Sequence, residues 1–507
     1  MPTKIEARMV EAPGGGVMRH VDPRHVPDQR WTNARNVRFP TGGSRVRKTD
    51  GYQRVDMLSP AEPIQALWWY VDPLGVKPAT LVQIGTTFAS QGLGSDRTAF
   101  AQFTPPRALD DVVTVDQYKG DLLWADGQNV YTWPGTGLAI PLATAGPGGA
   151  ATQSPIGKLV EIHKDHVLIG NITADADPEA PGPKPWRVNY SAQGDPFDWT
   201  SDAAGFFNFL DDSTGLTALK VLGDHAIVHK QNRLYRFIFV GPPDYYISES
   251  IPADEGSVSA RGAISVGSYQ FYPGLTNFYR LGSFAEPIGD AVWPEIAAAI
   301  DWPRAHLIYA FRRSQWDEIC WKIPTRGVAQ PNLTAVYNYR DQSWSLTDHD
   351  PGTCYTQVPS DALKGTEFDD AHSPLSPPSV RDVFGQINGN IQVYTGRNAD
   401  GAAIHAWVES KHFSDVLNPA RIVAVPIYAT GTGTLNVTVR AAMDARTPMP
   451  AWAAPRPLAL DPAQYRPWVN VRKYGRLWQI RLESNALNTE WEIAAYGASV
   501  IPGGFAR

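Results

Sequence analysis

One plan recurs along the chain and limits what it can become: a short apolar strand, a tight turn carrying Gly, Asn or Asp, and a second apolar strand. Residues 118–133 read YKGDLLWADGQNVYTW, with Asp126-Gly127 at the reversal. Residues 221–237 (VLGDHAIVHKQNRLYRF) repeat the plan around a Lys-Gln-Asn-Arg turn, residues 266–282 (VGSYQFYPGLTNFYRLG) around Pro273-Gly274, and residues 383–396 (VFGQINGNIQVYTG) around Asn388-Gly389. Such dipeptides reverse a hairpin because they tolerate the backbone angles a two-residue turn demands. Weaker copies occur at 80–87 and at 167–172 with 186–191, and residues 306–348 carry HLIYAF, EICWKI, TAVYNY and SWSLTD in succession. That run is predicted to be one complete antiparallel meander.

Thr86, Tyr131, Val188, Tyr235, Tyr279, Tyr337 and Tyr394 mark the outer strand of each hairpin. Their spacing of roughly 44 to 58 residues is the length of a four-stranded propeller blade. The predicted fold class is therefore all-β: a β-propeller-like ring of about six or seven blades, followed by a C-terminal β-sandwich domain. A single blade has faces and edges it cannot hide alone, whereas a ring buries each inner face against a neighbour. A series of β-sandwich domains would bury the same hairpins and is the other arrangement considered.

Composition agrees. With 11% aromatic residues, 44 Gly and 43 Pro, the chain favours many strands cut by many turns. One short helix is expected where Pro294-Glu295 precedes an alanine run ending at Ile300. Near residue 400 the texture changes. Strand patterns at 421–428, 435–441, 469–472, 477–482 and 490–497, with a Pro-rich span at 448–467, suit a sandwich of roughly 100 residues. The expected domains are a basic N-terminal segment over 1–60, the propeller-like domain over 61–400 and the sandwich over 401–507.

The formal net charge is −6, unevenly placed: residues 1–60 hold eleven Lys or Arg against six Asp or Glu, leaving about −11 for the rest. That balance disfavours a general nucleic-acid binder but marks the first segment as one that could meet phosphates or an acidic partner. Arg35, Arg38, Arg45, Arg47 and Lys48 are its candidate contacts. Cys320 and Cys354 are read as free thiols, no membrane span is expected, and no export signal is recognised at the start.

Catalytic patterns are not found, so no enzyme, metal or cofactor is expected. His163 with His166, and His225 with His229, lack the spacing that lets a strand chelate a metal. Asp175 with Asp177, and Asp211 with Asp212, lack the rest of a calcium-loop ligand series. There is no GxSxG elbow, and Gly14-Gly15-Gly16 and the glycines at 146–149 read as flexible turns. Trp68-Trp69-Tyr70, Trp124 and Trp133 read as core. A carbohydrate-binding or carbohydrate-cleaving propeller is the rival reading, since acids that could pair are plentiful.

Three stretches in order carry a resemblance. WTNARNVRF (31–39), followed by Gly42-Gly43, Arg45-Val46-Arg47 and Gly51-Tyr52, resembles the opening of tail nozzle proteins of short-tailed bacteriophages, also called packaged-DNA-stabilising, tail tubular or head-to-tail connector proteins. WRVNYSAQGDPFDWT (186–200), then GLTAL (215–219), GDHAIVHKQNRLYRF and Pro287-Ile288-Gly289-Asp290, is similar to their middle. YGRLWQIR (474–481) and Trp491-Glu492-Ile493 resemble their last strands, although the ending GGFAR departs from the usual Gly-x-Arg. The resemblance implies a structural virion subunit, made in the bacterial host cytoplasm and placed in the virion tail. It would form a hexameric ring below the portal and adaptor, extend the DNA channel, retain the genome until ejection and support tail fibres or spikes. Its contact with double-stranded DNA would be transient and non-specific.

Overall fold

Strands dominate because almost every apolar run is short and ends in a turn. The computed structural model describes residues 5–57, 63–77, 79–85, 87–91, 98–102, 111–144, 152–175, 182–363, 379–414, 419–444, 448–462 and 467–502. The marker Thr86, the glycines at 146–149, Asp177 and the ending at 503–507 lie outside them.

Five strands come first: β1 (Glu6–Glu11), β2 (Asn33–Arg35), β3 (Val37–Arg38), β4 (Val46–Lys48) and β5 (Tyr52–Met57). Among the described residues, seven four-stranded antiparallel sheets follow. Sheet 1 is β6 (Ala66–Tyr70), β7 (Thr80–Ile84), β8 (Thr87–Gln91) and β9 (Thr98–Gln102). Sheet 2 is β10 (Thr114–Tyr118), β11 (Asp121–Ala125), β12 (Val130–Trp133) and β13 (Ile140–Pro141). Sheet 3 is β14 (Ile156–His163), β15 (His166–Ala174), β16 (Lys184–Tyr190) and β17 (Gly205–Asn208). Sheet 4 is β18 (Leu216–Leu222), β19 (His225–Lys230), β20 (Arg233–Gly241) and β21 (Tyr245–Ile251). Sheet 5 is β22 (Ile264–Val266), β23 (Tyr269–Pro273), β24 (Phe278–Leu281) and β25 (Ala285–Pro287). The short helix α1 (Trp293–Ala299) precedes sheet 6, which is β26 (Tyr309–Arg313), β27 (Glu318–Pro324), β28 (Pro331–Asn338) and β29 (Ser343–Thr347). This is the meander read at 306–348. Sheet 7 is β30 (Gly352–Pro359), β31 (Val380–Gln386) and β32 (Asn390–Tyr394), and its fourth strand is β5, brought from the N-terminal segment.

The sheets pack in a cycle. An apolar cluster joins each sheet to the next, from Ala66 and Val82 against Leu122 and Trp124 (sheets 1 and 2) to Tyr309 and Phe311 against Tyr355 (sheets 6 and 7). A further cluster joins sheet 7 back to sheet 1 through Val358, Val383 and Val393 against Leu67 and Leu81. Successive side chains explain this, since they point to opposite faces of a strand. Leu122 and Trp124 of β11 face sheet 1, while Leu123 and Ala125 face sheet 3. Such a strand is buried on both sides, so it reads as a continuous apolar run rather than the alternation of a half-buried one.

The remaining strands are β33 (Ala406–Glu409), β34 (Phe413–Ser414), β35 (Ala420–Thr432), β36 (Thr434–Ala442), β37 (Arg456–Ala459), β38 (Trp468–Gly475), β39 (Leu477–Ser484) and β40 (Glu490–Pro502). They form two six-stranded sheets, and both recruit the N-terminal segment. One runs β3-β4-β40-β35-β38 with β1 also on β40; the other runs β2-β33-β39-β36-β37 with β34 also on β39. The two share one apolar core, in which Trp31 stacks on Tyr496 at 4.7 Å and Phe413 on Trp478 at 4.2 Å between ring centroids.

The chain changes sheets at Asn36, between β2 and β3, where φ is 55°. Asparagine suits this left-handed position, and here its side chain also bridges. Its Nδ2 donates to Asp348 Oδ1 (2.8 Å) and to the His405 carbonyl (2.9 Å). The 14–16 glycines prove tightly packed rather than flexible. A Cβ at Gly14 would meet the Gly43 carbonyl at 2.5 Å, and one at Gly16 would meet Ser343 and Trp344 at 2.9 Å. Among the described residues no helix is long and apolar enough to cross a membrane.

Because residues 5–57 supply a strand to sheet 7 and four strands to the two large sheets, neither part is complete without them. A chain starting at residue 63 is expected to lose its near-ultraviolet circular dichroism and to bind a hydrophobic dye. A native spectrum from that chain would contradict this.

Candidate functional site

Four of the five candidate basic residues are drawn into the fold, three of them toward carboxylates and Lys48 toward backbone carbonyls. Arg38 is 2% exposed. Its guanidinium grips Glu318 through Nε (2.9 Å) and Nη2 (2.8 Å) and donates from Nη1 to Asp50 at 2.6 Å. Arg47 donates to the other Asp50 oxygen at 2.9 Å. Arg313 reaches Asp50 and Asp382, each at 3.2 Å. Trp316 lies against two of these cations, with its ring centroid 3.7 Å from the Arg38 guanidinium carbon and 4.5 Å from that of Arg47. Lys48 is buried and donates to the Thr489 (2.7 Å) and Arg397 (3.3 Å) carbonyls, and burial pushes its pKa down to about 8. Arg35 pairs with Glu295 and lies 3.7 Å from Asp348. Arg45 pairs with Glu492, but its side chain is 52% exposed.

The reading of these five as one docking or DNA-contact surface is therefore corrected for Arg38, Arg47 and Lys48, which face inward at the junction between sheets 6 and 7 and the two large sheets. A signal for this was present. Glu318 opens the apolar strand EICWKI, and Asp382 sits inside another, VRDVFGQ. A carboxylate in such a strand needs a buried cation.

The histidines are also structural. His163 and His166 end β14 and begin β15, facing each other across a two-residue turn rather than lying along one strand. His163 bonds the Tyr246 hydroxyl (3.1 Å) and the Asp224 carbonyl (2.9 Å), and His166 bonds the Ser191 carbonyl (2.6 Å). His229 bonds Gln270 (2.7 Å) and receives the Ser257 N–H (3.1 Å). Asp175 is held by Lys184 (3.0 Å) and Arg187 (2.9 Å), and Asp211 and Asp212 by Lys230, so these acids are committed as well. Among the described residues no three His, Cys, Asp or Glu side chains converge as a metal site. Trp124, Trp133 and Tyr70 are buried, while Trp68 and Trp69 are partly so.

A different basic surface emerges at the open side of the two large sheets, where their edge strands β37 and β38 part. Val437, Val439 and Val471 line the groove between them, and Arg421, Arg456, Arg472 and Lys473 surround it. The three arginines are exposed and Lys473 partly so. None of the four has an ion-pair partner among the described residues. On β38 the exposed positions alternate as Trp468, Asn470, Arg472 and Tyr474, with Trp468 67% and Tyr474 52% exposed. Four cations with no ion-pair partner among the described residues, set around one groove, can hold an extended anion. Sequence reasoning missed this groove because its cations come from three separate strands, with no longer local run than Arg472-Lys473.

No protein-family model matches the chain, and no curated protein does. A solved structure with a likeness is that of PorZ, described as an essential bacterial surface component of the type-IX secretion system of Porphyromonas gingivalis, at 9% identity and a TM-score of 0.34. The match covers 75% of this chain and 45% of that one, so the chain spans less than half the length of the structure it matches.

Arg38→Met leaves Glu318 and Asp50 short of a buried partner and is expected to cost about 3–5 kcal/mol in denaturant unfolding. Arg45→Gln, at an exposed pair, is expected to stay within about 1 kcal/mol of the parent. Equal effects would contradict the assignment.

Burial holds His229 and His349 neutral, with pKa values lowered to about 4 and about 3. An unfolded histidine takes its proton near pH 6.5. Their contribution to stability is therefore complete above that pH. It falls by about 1.4 kcal/mol per group for each pH unit below it, until the folded pKa is reached. Imidazole nitrogen shifts followed by NMR are expected to show no inflection for these two rings between pH 8 and 5.

Proposed function

We propose that this chain is a structural subunit of a short-tailed phage tail nozzle, acting without catalysis. In this reading the seven small sheets are the blades of a β-propeller, closed by β5 of the N-terminal segment, and the two large sheets are a β-sandwich. Six such subunits form a ring below the portal and adaptor, extend the DNA channel, retain the packaged genome and carry fibres or spikes. The order of the three sequence stretches supports the family.

The observation that carries the contact role is the groove at β37 and β38. Its four unpaired cations stand out on a chain of net charge −6. A conduit should not grip DNA along its whole length, because every held phosphate adds salt-sensitive affinity and a ring multiplies it. A localised basic groove on a mostly acidic body meets that requirement, with Arg45 as the remaining exposed member of the N-terminal set.

Anisotropy titration of a DNA duplex tests the contact. Four phosphate contacts are expected to weaken binding about 10²-fold between 50 and 200 mM salt. A variant carrying Arg421→Gln, Arg456→Gln, Arg472→Gln and Lys473→Gln is expected to bind weakly with little salt dependence. Identical affinity and slope in both would overturn the contact role. Light scattering tests the assembly, with a mass of six subunits expected, alone or on a portal complex. A monomer that retains or cleaves polysaccharide would favour the carbohydrate reading, for which exposed Trp468 and Tyr474 are the specific support.

A further inference from the structure

The first strands of all seven small sheets line one cavity of about 380 Å³. Its walls are mostly apolar, with Leu67, Trp68, Val115 and Ile264 among them. Two charged groups facing it are matched to each other: Glu161 accepts from Lys220 Nζ at 2.6 Å and from the Val221 N–H at 3.0 Å. Asp116, whose charge Lys220 also offsets, is held by the Ile162 and Gln117 N–H groups, each at 2.8 Å.

Arg261 is different. It lines the same cavity, yet no carboxylate among the described residues pairs with it. Its Nη1 donates to the Gln65 carbonyl at 2.6 Å, and its guanidinium carbon lies 5.4 Å from the Tyr309 ring centroid. Nε is buried without a partner, and Nη2 has none among the described residues. The contrast with other cations enclosed by these sheets is sharp. Arg187 has Asp175, Arg313 has Asp50 and Asp382, Lys230 has Asp212, and Lys322 has Asp350. Arg261 is partly buried, and Nη2, which is not closed off as Nε is, remains the donor open to an anion.

We infer that the cavity between the seven sheets is a binding site for a small organic monocarboxylate with an apolar body, anchored on Nη2 of Arg261. The volume lies within the range of small-molecule sites. The apolar walls and the acidic Glu161 and Asp116 disfavour a multiply charged anion such as phosphate.

Benzoate is a suitable probe and benzamide its neutral isostere, each titrated calorimetrically into the full chain at pH 7. Benzoate is expected to bind at least tenfold more tightly than benzamide, and inorganic phosphate to bind no better than benzamide. Arg261→Met is expected to lose at least tenfold in benzoate affinity, with Arg261→Lys retaining part of it. The benzoate and benzamide comparison needs no variant, so a folding defect in Arg261→Met does not remove the test. Equal binding of the two probes, or no benzoate heat at about 20 mM, well above a millimolar Kd, would overturn the assignment.

Discussion

Three guanidinium groups and three carboxylates, buried together, hold the N-terminal segment against sheets 6 and 7. Arg38 and Arg47 come from that segment with Asp50, while Arg313 and Glu318 come from sheet 6 and Asp382 from sheet 7. The charges balance, and hydrogen bonds satisfy most of their polar atoms, which is the condition under which a buried ion cluster is tolerated. The cluster also fixes direction. An arginine fork donates to a carboxylate in a fixed planar geometry, which favours one register of β3 and β4 against the sheets. His349 extends the same junction, bonding the Asp50 carbonyl at 3.0 Å and Asn36 at 3.2 Å.

From that junction the rest of the architecture is constrained. Asn36 sends the chain from one large sheet to the other, and Thr49 closes on it through its N–H (3.0 Å). Three residues later β5 sets out to complete sheet 7, which packs on sheet 1 and so ends the cycle of apolar clusters. Cyclic packing places seven first strands around one cavity, where no carboxylate among the described residues pairs with Arg261. The groove lies elsewhere, on edges of the two large sheets that no other described strand covers.

Local features were legible in the sequence and distant pairings were not. The turns at Asp126-Gly127 and Asn388-Gly389, the meander at 306–348 and the strands after residue 420 all follow from patterns within a few residues. Apart from the local pairing of β3 with β4, the partners of the first five strands lie hundreds of residues away, as with Asn33 opposite Glu409 and Arg47 opposite Glu492, and nothing local announces them. The five basic residues looked like a surface because a run of arginines usually is one. The burial of Arg38 and Arg47 became visible only once Glu318 and Asp50 were placed beside them. The His163 and His166 pair was misplaced for a smaller reason: Lys164 and Asp165 both take positive φ, so a turn stands where a continuous strand was read.

The N-terminal segment threads both the seven-sheet cycle and the two large sheets, and the ion cluster locks it, so the chain is expected to unfold as one cooperative body. Scanning calorimetry of the intact chain tests this most directly. The expected result is a single endotherm whose calorimetric and van't Hoff enthalpies agree. Two separated endotherms, one for each part, would contradict it.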